Sequence, residues 1–167
     1  MSDCLASTPT GTLSRERFVD LDFEVIREPW NKYQLVDNTI LKVKLVLTLI
    51  RRKELLRADG TVEKILGVGF DTQSVTSVQS VPEQLRGPSS TEPYDPRQLE
   101  SSIVQDDISY TTLAEEWNEY VDEEGSKIRM KTTVSRVART SKFDKHGNPV
   151  YLVQSHGIVE MKPRKPS

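Results

Sequence analysis

The chain carries EPWNKY at residues 28–33 and EEWNEY at residues 115–120, and these two phrases hold both of its tryptophans. A phrase written twice constrains the fold more than any other feature here, because two copies of one sequence unit build two copies of one structural unit. Sliding the chain over itself by 87 residues aligns Asp20/Asp107, Glu28/Glu115, Trp30/Trp117, Asn31/Asn118, Tyr33/Tyr120, Lys44/Lys131, Arg52/Arg139 and Gly60/Gly147. Pairs of like character fill the same register, among them Phe23/Tyr110, Leu41/Ile128, Val43/Met130, Leu47/Val134 and Ile50/Val137. The register runs without a gap to Leu66, after which the copies differ in length, so a loop of different length is expected there. The reading is a tandem duplication.

Each copy patterns as β structure. In ILKVKLVLTL, Leu41, Val43, Leu45 and Leu47 alternate with Lys42, Lys44 and Thr48; in the second copy Ile128, Met130 and Val134 alternate with Arg129, Lys131 and Ser135. The matched apolar pair Ile50/Val137 breaks that parity. A strand that keeps its core face must insert a residue, which predicts β-bulges at Thr48–Leu49 and Ser135–Arg136. VDNT and EEGS, at residues 36–39 and 123–126, read as matched hairpin turns, and so do the turns at Gly60 and Gly147. Residues 82–102 hold Pro82, Pro88, Pro93 and Pro96, which cannot sit in an interior strand or the middle of a helix. The expected organisation is a flexible tail over 1–17, a first β unit over 18–81, a Pro-rich linker over 82–102, a second β unit over 103–161 and a basic tail over 162–167. The expected class is all-β: two similar small antiparallel domains of meander or small-barrel type, related by pseudo-two-fold symmetry.

The pattern W-N-x-Y, then D-x-T-x-L-K-V-K at residues 37–44, then G-N-P-V-Y-L-V at residues 147–153, resembles an uncharacterised family of small β proteins. The resemblance implies a small β fold and no activity. Hairpin-rich units of this size are similar in pattern to SH3-like and Sm-like barrels, a likeness of fold alone.

The formal net charge of −2 favours no class of partner. Cys4 is the only cysteine and fits a reducing compartment. No apolar run approaches the length of a membrane span, and the first residues lack a secretory pattern, so a cytoplasmic protein is expected. His146 and His156 lack the Cys, His and carboxylate company of a metal site, and no catalytic set or phosphate-binding loop is present. No enzyme activity, metal or cofactor is expected.

Candidate binding residues are Trp30, Tyr33, Lys42, Lys44, Arg51, Arg52, Trp117 and Tyr120. The tryptophans are expected to plug the core and the tyrosines to cap an edge, with an exposed aromatic pair as the alternative. The basic strands invite phosphate, but in the second copy the acids of residues 106–124 face the bases of residues 127–145 across a hairpin and pair with them. Any anion site should therefore lie on the first copy. The expected function is a non-enzymatic protein-interaction or assembly module, with a protein partner or self-association. The alternative is a nucleic-acid-binding small-barrel protein that uses the basic strand of the first copy.

Overall fold

The computed structural model describes residues 14–164. Cys4 and residues 1–13 of the expected tail lie outside the described residues, as do residues 165–167. The tail is shorter than expected at its inner end, because β1 starts at Arg15, and Lys162 closes the last strand instead of opening a basic tail.

The first block forms β1 (Arg15–Leu21), β2 (Phe23–Arg27), β3 (Asn31–Leu35), β4 (Ile40–Leu56) and β5 (Val62–Gln79). The second forms β6 (Ile103–Gln105), β7 (Tyr110–Ala114), β8 (Asn118–Asp122), β9 (Lys127–Phe143) and β10 (Pro149–Lys162). β7, β8 and β9 begin and end 87 residues after β2, β3 and β4. The class is all-β, in two antiparallel sheets. Among the described residues neither sheet closes into a barrel. No helix among the described residues is long and apolar enough to cross a membrane.

The sheets do not follow the boundary between the blocks. Sheet 1 runs β5-β4-β3-β7, with β1 also on β4; sheet 2 runs β10-β9-β8-β2, with β6 also on β9. The first block thus lends β2 to β8, and the second lends β7 to β3. The two exchanges share one register: Phe23 faces Asp122, as Tyr110 faces Leu35. The core is divided the same way. One cluster packs Tyr33, Leu35, Leu41 and Val43 against Ile108, Val134 and Val137. The other packs Tyr120, Ile128 and Met130 against Leu21, Leu47 and Ile50. Each cluster therefore joins the start of one block's hairpin to the middle of the other block's long strand, β9 or β4. Edge-to-face ring contacts repeat the exchange, Tyr33 on Tyr110 at 5.5 Å and Tyr120 on Phe23 at 5.9 Å.

The repeated phrase supplies the polar joint of this exchange. Tyr33 Oη donates to Glu115 at 2.8 Å and Tyr120 Oη to Glu28 at 2.7 Å. Asn31 Nδ2 donates to the Thr132 carbonyl at 3.0 Å, and Asn118 Nδ2 to the Leu45 carbonyl at 2.7 Å. Every one of these bonds crosses between blocks. Both asparagines and both tyrosines are buried. The expectation that Trp plugs the core while Tyr caps an edge is thereby corrected: the roles are reversed. Asn31, Tyr33 and Leu35 are alternate residues of one strand and share its inner face. Trp30 falls one residue before β3 and lies half-buried on the outer side, beneath Lys42 and Lys44.

Both expected bulges are present. The β4–β5 register shifts between Leu47 and Leu49, and the β9–β10 register shifts opposite Ser135. The extra residues, Thr48 and Ser135, turn their hydroxyls onto the carbonyls of Asp71 and Gln154. The turns match too, with positive φ at Asn38 and Gly125, and at Gly60 and Gly147. The expected difference in loop length after Leu66 is not found. Leu56 pairs with Val62 and Phe143 with Pro149 across turns of equal length. The two blocks instead fall out of step through bulges, on β5 in one block and on β9 in the other.

The linker is ordered against sheet 2. A 3-10 turn (Glu83–Leu85) is followed by α1 (Pro96–Ser101), which Asp95 caps and Pro96 starts. Gly87 N donates to Gly147 O, Ser90 N to Asp144 O and Tyr94 Oη to Phe143 O, so the segment lies along the β9–β10 turn.

Candidate functional site

Two features of the surface are candidates: a basic aromatic face on sheet 1 and the free edge of β5. The face follows from the parity of β4. With Leu41, Val43 and Leu47 turned inward, Lys42 and Lys44 stand outward over the Trp30 ring, 5.7 and 5.6 Å from its centroid. Past the bulge the parity resets, so Ile50, Arg52 and Glu54 point inward while Arg51 and Lys53 point outward. Arg51 and Lys53 stand over the ring of Phe18, from the adjacent β1, at 5.6 and 5.9 Å. The outer face of β4 thus carries two aromatic rings, each beneath two cations. Phe18 is 59% exposed. Beside it, Gly67 and Gly69 leave a shallow groove of about 360 Å³. A Cβ at Gly67 would meet nothing within 4 Å.

The same position on sheet 2 differs in charge. Arg129 and Lys131 stand over Trp117 at 4.3 and 5.8 Å. Glu119 lies directly opposite Arg129 on β8, and Glu160 pairs with Arg129 from β10 at 3.4 Å. On sheet 1 the residue at the place of Glu119 is Lys32, and it faces Lys42 directly. On the β5 side Lys42 faces Ser77. Among the described residues neither Lys32 nor Lys42 forms an ion pair. Like charges directly opposite on a sheet are destabilising, whereas unlike charges stabilise by about 0.2–1 kcal/mol. Lys32→Glu is therefore expected to raise the melting temperature and Glu119→Lys to lower it, each by up to about 1 kcal/mol in stability, measured by thermal circular dichroism.

The other cations of this face are tied more loosely. Lys44 is 3.8 Å from Glu28, Arg51 is 2.9 Å from Asp20, and Lys53 is 3.0 Å from Glu16. Arg51 and Asp20 are about half exposed, a setting in which an ion pair contributes little.

The eight expected binding residues thus separate into three groups. Trp30, Lys42, Lys44 and Arg51 share the outer face of sheet 1. Trp117 occupies the equivalent, neutralised place on sheet 2. Tyr33, Tyr120 and Arg52 point inward. Arg52 and Arg17 hold the buried carboxylate of Glu54, and Arg52 also reaches Glu124. The Arg17 bond, and after it the nearby charge of Arg52, keeps the Glu54 carboxyl below its ordinary range. Lys32 and Phe18 are additions to the expected set. The change of Lys32 to Glu119 between the two phrases signals the first; nothing in the sequence near Phe18 signals the second.

The charge pairing expected between residues 106–124 and 127–145 is found as ion pairs of Lys131 with Glu115 at 3.8 Å and of Arg136 with Asp106 at 2.8 Å, while Glu119 lies directly opposite Arg129 across β8 and β9. Glu116 instead pairs outside the block, with Arg27 of β2. His146 is exposed in a turn and His156 is exposed on β10. Among the described residues no group of three or more His, Cys, Asp or Glu is placed to hold a metal.

The second feature is backbone. Among the described residues β5 pairs with β4 alone, and its far edge meets no other strand. Its bulges lie near the turn; from Thr72 to Gln79 it is regular and faces β4 residue for residue. That stretch, TQSVTSVQ, has no charge and no proline. Thr72, Ser74 and Thr76 lie on the inner side yet are exposed, so β5 overhangs the opposite sheet. Among the described residues β10 also pairs with one strand only, but its edge carries His156, Glu160 and Lys162.

No family model, no curated protein and no solved structure matches the chain, so the resemblance of the W-N-x-Y pattern to a family of small β proteins gains no support from known proteins.

Proposed function

We propose that this protein is a non-enzymatic assembly module: a tandem duplication folded as an internal pseudo-dimer, which associates with a second copy of itself through the edge of β5. The observation that carries the reading is the regular, uncharged edge from Thr72 to Gln79. Exposed edges in soluble proteins are usually blunted by lysine, proline or a bulge, because unpaired N–H and C=O groups template another strand. Here the bulges blunt only the half of β5 nearer its turn. An uncharged strand can lie antiparallel to its own copy without repulsion, and that contact is isologous and closes as a dimer. The duplication reading draws on the equal strand lengths and on the reciprocal bonds of the two phrases. Cytoplasmic residence belongs to the same proposal, since a lone cysteine suits a reducing compartment.

The test is sedimentation equilibrium over a concentration series. The expected result is a monomer–dimer equilibrium, abolished in Ser74→Lys/Thr76→Lys with an unchanged circular dichroism spectrum. Both positions are exposed, so the substitutions load the edge without touching the core. A wild-type protein that stays monomeric at every accessible concentration would sink the proposal, and so would a variant that dimerises as well as the parent.

A further inference from the structure

We infer that the outer face of β4 binds single-stranded nucleic acid, with bases on Trp30 and Phe18 and phosphates on Lys32, Lys42, Lys44, Arg51 and Lys53. Three observations converge on this. The first is the composition of the face. Two aromatic rings, each under two cations, recur along one strand. From the strand rise they stand about 25–30 Å apart, a spacing that a short single strand spans. Aromatic platforms interleaved with lysine and arginine are what sequence-tolerant single-strand binding uses: every base has a face to stack, and every nucleotide carries a charge.

The second is the internal comparison with sheet 2. The same fold position there tolerates a fully neutralised arrangement, with Glu119 and Glu160 flanking Arg129. Sheet 1 keeps Lys32 against Lys42 instead, at a cost in stability. The counterparts of Phe18, Arg51 and Lys53, 87 residues on, are Gln105, Ala138 and Thr140, so the second aromatic–cation unit has no equivalent. Ala138 and Thr140 are also buried, whereas Phe18 and Arg51 are open. The cationic face is therefore a property of one sheet and not a by-product of the fold.

The third is how the rings are covered. The ammonium groups of Lys42 and Lys44 sit 5.7 and 5.6 Å from the Trp30 centroid, held by no strong ion pair. Arg129 lies on Trp117 at 4.3 Å and is anchored by Glu160. A phosphate can draw the lysines off Trp30 and uncover the indole for a base. Asp20 and Glu16, which face Arg51 and Lys53 from β1, and Asp71 beside Arg51 on β5, compete with phosphate; the first two are more than half exposed and release their partners readily. An acidic peptide would satisfy the charges but has no use for the two rings, so the geometry favours nucleic acid.

The test uses the full chain with Trp117→Phe, which leaves Trp30 as the only indole, titrated with an oligothymidylate of roughly ten nucleotides. Quenching of Trp30 fluorescence at low salt is expected. Each phosphate neutralised contributes about −0.7 to the salt slope, so three to five contacts weaken binding roughly 20- to 130-fold for a fourfold rise in salt. Lys32→Glu/Lys42→Glu should abolish the quenching, and Phe18→Ala should weaken binding roughly 5- to 100-fold. The double variant exchanges one like-charge pair across β3 and β4 for another, so the fold is retained, and thermal circular dichroism checks it. No quenching at low salt overturns the inference. Binding unaffected by the double charge reversal does so too. Equal quenching by poly-glutamate would make the face an acidic-peptide surface and equally overturn it. The β5 edge takes no part in these outcomes, so failure here leaves the assembly proposal standing, and the reverse holds.

Discussion

Heating is expected to melt both sheets in one cooperative transition, and Asn118→Ala is expected to lower that single transition as a whole. Asn118 Nδ2 donates to the Leu45 carbonyl at 2.7 Å and to Tyr120 Oη at 2.9 Å, in a buried position. Truncation leaves both acceptors short of a partner in the interior, at about 1–3 kcal/mol each, so a loss of about 2–4 kcal/mol is expected. For a chain of this size that corresponds to about 5–15 °C in melting temperature. Asn31→Ala should act similarly, since its side chain bonds the Thr132 carbonyl and accepts from Glu116 N. The decisive feature is that the loss is shared. Asn118 belongs to the second block and Leu45 to the first, and each core cluster contains strands of both. Calorimetry is expected to show one peak with equal calorimetric and van't Hoff enthalpies. Two peaks, of which Asn118→Ala moves only one, would mean that the blocks fold independently and that the exchanged strands contribute little.

Alkali gives the second large effect. Tyr33 and Tyr120 are held far above the ordinary phenol range, first by burial and then by the carboxylates of Glu115 and Glu28 that accept their hydrogen bonds. Burial, with the charge of Asp37, pushes Tyr151 up to about 12. A phenol raised in the folded state favours folding fully below its unfolded value of about 10, and that contribution is lost as pH rises. Between pH 10 and the native values the unfolded chain ionises and the native one does not. Three such groups remove about 4 kcal/mol of stability by pH 11, a large share of an ordinary domain's total. Tyrosinate absorbance from these residues is expected to rise together with loss of the β circular dichroism signal. Tyr33→Phe/Tyr120→Phe should flatten the dependence of stability on pH above 10. Full titration of all tyrosines near pH 10 with the β signal intact would contradict the buried placement of these hydroxyls.

Both expectations rest on residues whose sequence context suggested something else. The W-N-x-Y phrase was legible as a recurring position but not as a joint. Its roles depend on where the strand begins: one residue earlier, Trp30 would share the inner face with Lys32, and Tyr33 would face solvent. Starting β3 at Asn31 turns Asn31 and Tyr33 inward and leaves Trp30 under the lysines. That phase is set by the pairing of Tyr33 with Leu41 on one side and Thr112 on the other. Thr112 lies in the other block, beyond the reach of local pattern. The bulges at Thr48 and Ser135, by contrast, were readable, because the parity change between Leu47 and Ile50 is local. The basic strand was readable for the same reason. Its partner Phe18 was not, because it comes from β1 through the pairing of Phe18 with Lys53.

The sequence by itself determined that this is an all-β chain, where its matched turns and the bulges at Thr48 and Ser135 fall, and that its two blocks keep one register. Alternation, turn residues and parity are properties of neighbouring residues, and these the chain states directly. Only the tertiary structure decided that β2 and β7 change places. The choice between keeping a strand and exchanging it rests on which edge completes its hydrogen bonds and buries Phe23 or Tyr110. Those partners lie 99 residues away for Phe23, opposite Asp122, and 75 for Tyr110, opposite Leu35. Two edges that resemble each other because the blocks do cannot be told apart by any local pattern; packing both cores at once selects between them.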